Sequence, residues 1–215
     1  AYNSRKDLVR YARLNKIAID FDSGKKSPYS MDANVLHTSY EGGILENPWK
    51  SPEESMWLRT KSIEKSANKA DIFELEFKNG DIIKVNKKAL SPFKVLKKLN
   101  DLAGKHGIGR IDIVENRYVG IKSRGCYETP GGTIYHKAHK AMESITMDRE
   151  LLHLKEDLAN RYTRLIYNGY WFSPERESLQ KLINDSQKRV TGTVKVKILK
   201  GNVIILGRKS PYSIY

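Results

Sequence analysis

Alternation and helical spacing divide this chain into recognisable pieces. Phe73, Leu75 and Phe77 alternate with Glu74, Glu76 and Lys78, the period-two pattern of a half-buried strand. Asn79-Gly80 follows, a pair suited to a type I′ turn because both residues tolerate positive φ, and a second strand returns through Val85. The C-terminal part repeats the device. Val194, Val196 and Ile198 alternate with lysines, Lys200-Gly201-Asn202 turns the chain, and Val203–Leu206 runs back. Between these hairpins the period changes. Ser91-Pro92 predicts a helix start, with Ser as N-cap and Pro in the first turn. Val95, Leu96, Leu99, Leu102 and Ala103 form its apolar stripe, and Gly104 is the expected left-handed C-cap.

Strands are next expected at about Arg110–Val114 and Tyr118–Lys122, around the polar knot Glu115-Asn116-Arg117. Helical patterns follow at Thr133–Ile145, Asp148–Tyr167 and Pro174–Gln187, the last opened by Ser173-Pro174-Glu175. Nearer the N-terminus, Leu8, Val9, Tyr11, Ala12 and Leu14 make a helical stripe within Arg5–Asn15. "DSGKKSPYS" reads as a linker. The stretch from about Lys50 to Ala70 has weak periodicity. Paired strands segregated from helices predict an α+β fold built on antiparallel hairpins.

Composition narrows the classes. Hydrophobic residues make up 39% and charged residues 30% of 215, as in a soluble globular protein. No apolar run is long enough to cross a membrane. The start lacks both an initiator Met and a signal-peptide core, so the chain is expected to be a piece of something longer. A single cysteine, Cys126, cannot form an internal disulfide and points to a reducing compartment. The net charge of +14 raises a nucleic-acid-binding module as an alternative. The lysines and arginines are dispersed, however, which favours solvated surfaces.

Candidate chemistry is sparse. "GKHGIGR" resembles a phosphate cradle, but its glycines follow a helix and precede a strand, the reverse of the phosphate-binding order. Turns and caps account for them. His136 and His139 are spaced one helical turn apart without a third ligand or an HExxH glutamate. Glu115 ends a strand expected to be buried, where a carboxylate needs a partner. Two readings stand: an ion pair with Arg117 or Arg124, or a contact to a ligand amine or ureido group. Tyr127 can donate into the same cleft. Ser30 has the look of an N-cap for a helix over "MDANV", and Ser39 falls in an alternating run that could face a cleft.

Long runs resemble the argininosuccinate synthase family. They are "SMDANVLHTSYEGGILENP", "LNDLAGKHGIGRIDIVENRYVGIKSRGCYETPGGTI", "TMDRE", "LIYNGYWFSPERE", "SQKRVTGTVKVKILKGNV" and "GRKSPYSIY", in the family's order. The likeness covers nearly all of Arg5–Tyr215. It implies that residues 1–26 are the last helix of a nucleotide-binding domain plus a linker, and residues 27–215 the synthetase domain. The Ser-Gly-Gly-Leu-Asp-Thr-Ser phosphate loop of that other domain does not occur here.

The resemblance further implies ATP-dependent condensation of citrulline with aspartate, giving argininosuccinate, AMP and pyrophosphate in arginine biosynthesis. It implies Mg with the ATP, bound mainly by the other domain, no prosthetic group, a cytoplasmic location and a homotetramer. Ser30, Ser39, Glu115 and Tyr127 match the family's citrulline contacts. A chain of this length alone is expected to make no AMP. The alternative kept open is a domain that only binds citrulline or assembles.

Overall fold

The computed structural model describes residues 5–17 and 29–215. Most of the expected linker, residues 22–28, and the boundary between residues 26 and 27 lie outside the described residues, while Tyr29 and Ser30 at its end are described. The order of elements is helix α1 (Arg5–Leu14), strands β1 (Ser30–Ala33), β2 (Thr38–Glu41), β3 (Asp71–Lys78), β4 (Asp81–Val85) and β5 (Lys88–Ala89), then helix α2 (Pro92–Lys105). Strands β6 (Arg110–Asn116) and β7 (Lys122–Glu128) follow. After them come helices α3 (Pro130–Thr146), α4 (Arg149–Tyr167) and α5 (Pro174–Ser186), and the closing strands β8 (Gly192–Leu199) and β9 (Asn202–Lys209).

Two antiparallel sheets result. One has the order β5-β4-β3-β8-β9, the other β1-β2-β7-β6. The fold is therefore α+β, as the segregated pattern predicts. The larger sheet carries the main core. Phe73, Leu75 and Phe77 from β3 and Val194, Val196 and Ile198 from β8 pack with Val95 and Leu99 of α2 and Ile134, Ala138 and Met142 of α3. All are at most 4% exposed, so the alternation read from the sequence is the burial pattern observed. Both hairpin turns have positive φ at their two central residues, Asn79-Gly80 and Lys200-Gly201. This is the backbone that two-residue hairpins require.

Helix starts follow their caps unevenly. The Asp148 carboxylate accepts from the backbone N–H groups of Glu150 and Leu151, and the Ser173 hydroxyl accepts from that of Arg176. Ser91 occupies the cap position of α2, but its hydroxyl makes no capping bond. Pro92 supplies the start there through its preset φ.

Three expectations change. Residues Ser30–Ala33 form a strand, not a helix, because they pair with Thr38–Glu41 across a four-residue turn. The strand expected at Tyr118–Lys122 begins at Lys122. Arg117 and Ile121 close a turn between them, with Gly120 at φ 85°. Tyr118, Val119 and Ile121, whose apolar character suggested a strand, are exposed there. Lastly, Gly104 is not a left-handed cap. It lies inside α2, and Gly107 takes the positive φ of 69°.

The reason for Gly104 is crowding. A Cβ on it would lie 2.2 Å from the backbone carbonyl oxygen of Arg59. The helix meets the Arg59–Lys61 segment backbone to backbone, and the Lys61 N–H donates to the Gly104 carbonyl at 3.0 Å. Gly104→Ala should therefore destabilise the fold by about 2–3 kcal/mol or more, since backbone must move. Gly207→Ala, where the space is open, should stay within about 0.5 kcal/mol. Urea unfolding of the two variants compares them directly; equal midpoints would contradict the close-approach explanation.

Candidate functional site

The smaller sheet holds the residues that the sequence singles out. Directly opposed residues in an antiparallel pair point to one face, and so do residues two apart along a strand. The register pairs Ser30 with Glu41, Asp32 with Ser39, Ser39 with Tyr127, and Glu115 with Ser123. Ser30, Ser39, Glu115 and Tyr127 thus share one face, together with Asp32, Glu41, Ser123 and Gly125. Four positions spread over 98 residues of chain are gathered by strand pairing alone.

The opposite face is packed. Tyr40, Cys126 and Glu128 point into it, and Tyr29, Leu45 and Met56 cover it. Glu128 is fully buried and its carboxylate is saturated with donors. Oε2 accepts from the Tyr40 hydroxyl at 2.5 Å and the Leu58 N–H at 2.9 Å. Oε1 accepts from the N–H groups of Arg59 and Thr60 at 3.0 and 2.8 Å and from the Thr60 hydroxyl at 2.6 Å. Arg110, at the start of β6, holds the same segment. It donates to Thr60 Oγ1 at 2.7 Å, forks onto Glu54 at 2.7 and 2.8 Å, and lies 4.9 Å over the Trp57 ring.

This docking reaches the polar face. The Arg59 guanidinium donates to the Asn34 and Val35 carbonyls in the β1–β2 turn, and Asn100 of α2 donates to Val35 at 2.7 Å. The hairpin that carries Ser30 and Ser39 is therefore fastened by a segment that Glu128 itself fastens. Both the ion-pair partners expected for Glu115 are engaged elsewhere. Arg124 points to the packed face, where it forks onto Asp112 at 2.8 and 2.6 Å and donates to the Asn47 and Lys50 carbonyls. Its guanidinium holds the Asp112 carboxyl below the usual carboxylate range. Arg117 bonds Glu41 at 2.5 Å and Ser123 at 3.2 Å.

Glu115 instead accepts from the Tyr127 hydroxyl at 2.6 Å on Oε1. Burial first, then this bond, raises the Tyr127 pKa, so the phenol stays a donor. The strand that carries Glu115 is an edge strand and is not buried as expected: Ile111, Ile113 and Val114 are 46%, 41% and 56% exposed. Glu115 is half-buried, and among the described residues no arginine or lysine forms an ion pair with it. Among the described residues, the hydroxyls of Ser30 and Ser39 bond no side chain. The face thus offers hydroxyl donors, one free carboxylate oxygen and a fixed phenol.

The other sequence candidates resolve into packing. The spaces beside Gly107 and Gly109 are filled by the backbone of Lys61 and of Thr129-Pro130, leaving the "GKHGIGR" turn no cradle for phosphate. His139 bonds Gln187 at 2.9 Å, while His136 is exposed. Burial holds the His139 pKa below its usual value. Among the described residues no three His, Cys, Asp or Glu side chains gather as a metal site. Cys126 is fully buried, and burial pushes its thiol up to about 11. It behaves as a packed apolar residue. Glu128, Arg110 and the Glu41–Arg117 pair were not found from the sequence. The one legible signal was parity, since Glu128 sits one residue from Tyr127 and must face the other way.

Fold and site together define an α+β domain of antiparallel sheets with its candidate polar groups on an open sheet face. The chain belongs to the argininosuccinate synthase family: the family model described as "Arginosuccinate synthase C-terminal domain" matches residues 29–215. Among curated proteins it is 59% identical over 214 residues to the argininosuccinate synthase of Psychrobacter sp. (strain PRwf-1), covering 99% of this chain and 52% of that protein. It is 60% identical over 207 residues to that of Nitrosococcus oceani, covering 96% and 51%. The chain spans about half the length of the curated relatives it matches.

Loss of the Glu128 charge tests the packed face. In Glu128→Gln one oxygen becomes an N–H₂ that confronts donors. At least one buried donor then loses its acceptor, at a cost of about 3 kcal/mol. Urea unfolding followed by Trp fluorescence should show a lowered midpoint. An unchanged midpoint would mean that the donors had found other acceptors.

Proposed function

We propose that this chain is the synthetase half of an argininosuccinate synthase and supplies the citrulline wall of its active site. The observation that carries the reading is the shared sheet face of Ser30, Ser39, Glu115 and Tyr127 in a chain of this family. Citrulline is a zwitterion with a neutral ureido end. Glu115 has one carboxylate oxygen engaged by Tyr127. Its second oxygen accepts an N–H of the substrate. The Ser30 and Ser39 hydroxyls donate to the substrate's carboxylate or ureido oxygen. Such a site recognises by convergent polar groups on a rigid support.

In the proposed reaction the ureido oxygen attacks ATP, pyrophosphate leaves, and the aspartate amine then displaces AMP from the activated carbon. This chain's part is to hold the ureido group in place, a contribution of positioning and charge complementarity with no protein nucleophile. ATP, its metal and aspartate are assigned to the half of the relatives' length that this chain does not span. Residues 1–26 are assigned to that half and its linker, residues 27–215 to the synthetase domain. No helix among the described residues is long and apolar enough to cross a membrane, and the assembly is proposed to be a cytoplasmic homotetramer.

Glu115→Gln in a full-length synthase carrying this sequence tests the assignment. The change keeps shape and removes charge, so citrulline KM should rise about 10- to 100-fold, the worth of a charge-assisted bond. Folding stability should move by no more than about 0.5 kcal/mol, because Glu115 has a single hydrogen-bond partner among the described residues, at a half-buried site. Steady-state kinetics with each substrate varied in turn gives the answer. A citrulline KM that does not change assigns Glu115 a structural role instead.

A further inference from the structure

We infer that Gly125 is a positioning residue for citrulline, acting as the seat on which the Tyr127 ring lies to reach Glu115. The inference rests on the citrulline reading above and extends it to a residue with no functional group.

The sheet geometry demands a seat. Tyr127 stands opposite Ile111, and Glu115 lies four residues further along β6. Four residues of strand span about 13 Å. A 2.6 Å bond between the phenol and Glu115 therefore forms only if both side chains lie along the sheet towards each other. Gly125 is two residues before Tyr127 on the same face, in the path of that ring. A Cβ built on Gly125 would lie 2.7 Å from Tyr127 Oη, 2.9 Å from Cε2 and 3.0 Å from Cζ. Real side chains do not approach so closely. Gly125 is buried, and its φ is not in the positive range that would by itself call for glycine. A glycine inside a strand with ordinary backbone marks a place where something else must come close, and here that is the phenol ring.

The kind of clash separates this glycine from Gly104 and Gly192. At Gly104 the obstacle is the Arg59 carbonyl, and at Gly192 it is the Lys209 carbonyl, each 2.2 Å from the added Cβ. Backbone must move there, so the fold suffers. At Gly125 all three near atoms belong to the outer end of one side chain. The ring can swing away while the strand stays. What is lost is the Tyr127–Glu115 bond, and with it the placement of the Glu115 oxygen that faces the substrate. Loss of that placement is costly for a reaction that depends on positioning.

The test is Gly125→Ala in the full-length synthase carrying this sequence, alone and combined with Tyr127→Ala. The single variant should raise citrulline KM at least about tenfold, with the KM values of ATP and aspartate within about twofold of the parent. Its melting temperature should stay within about 3 °C. With the ring removed, Gly125→Ala should add less than about a twofold further change, because two substitutions that act through one contact are not additive.

An equal effect in both backgrounds overturns the proposal, since Gly125 would then matter to the strand and not to the ring. A citrulline KM unmoved by Gly125→Ala but raised by Glu115→Gln also overturns it, leaving the citrulline reading standing. If neither substitution moves citrulline KM, the citrulline reading itself falls and takes this one with it.

Discussion

The buried carboxylate of Glu128 is the point on which the rest of this domain hangs. A fully buried carboxylate is tolerated only when hydrogen bonds replace its water. Glu128 meets that condition with the hydroxyls of Tyr40 and Thr60 and three successive backbone N–H groups, Leu58 to Thr60. Those N–H groups belong to a segment with little regular structure of its own. Their engagement gives the segment one conformation, pressed against the packed face of the small sheet on one side and against α2 at Gly104 on the other. The small sheet and the helical layer are joined through it.

That join sets the geometry of the polar face. Arg59 leaves the fastened segment to bind the β1–β2 turn, so the strands that carry Ser30 and Ser39 are braced from behind. Arg110 and Arg124 do the same for β6 and β7, forking onto Glu54 and Asp112. Arg110, Arg117 and Arg124 are thus engaged by other carboxylates of the scaffold, and among the described residues none of them forms an ion pair with Glu115. Among the described residues the hydrogen-bond partner of this carboxylate is the Tyr127 phenol, on a sheet braced from its far side. A supporting face and an open polar face follow from the two-residue period of a strand.

Much of the fold was legible beforehand. Phe73–Phe77 and Val194–Ile198 alternate cleanly because one face of each strand is buried in the main core while the other is more exposed. The helices after Pro130, Asp148 and Ser173 carry local signals, a proline or a capping side chain. The small sheet was harder. Ser30–Ala33 is a strand only because Thr38–Glu41 lies beside it. Tyr118–Ile121 has strand-like residues and yet turns, because Gly120 takes positive φ and the pairing of β6 with β7 ends there. Edge strands such as β6 are exposed on both faces and leave no burial period to read.

The residue types at the site were also legible: a serine pair, an acid at a strand end, a tyrosine after a Gly-Cys step. Their identity as one face was not, since the register of β1, β2, β6 and β7 is a property of pairing between segments far apart in the chain. The partner of Glu115 was beyond reach for the same reason. Sequence proximity favoured Arg117 and Arg124, but the pleat turns Arg124 to the other face and Glu41 captures Arg117. The sequence by itself determined which elements form, because periodicity, caps and turn residues act within a few positions. Only the tertiary structure decided which side chains meet, because that depends on long-range register and on a buried carboxylate that no local pattern reveals.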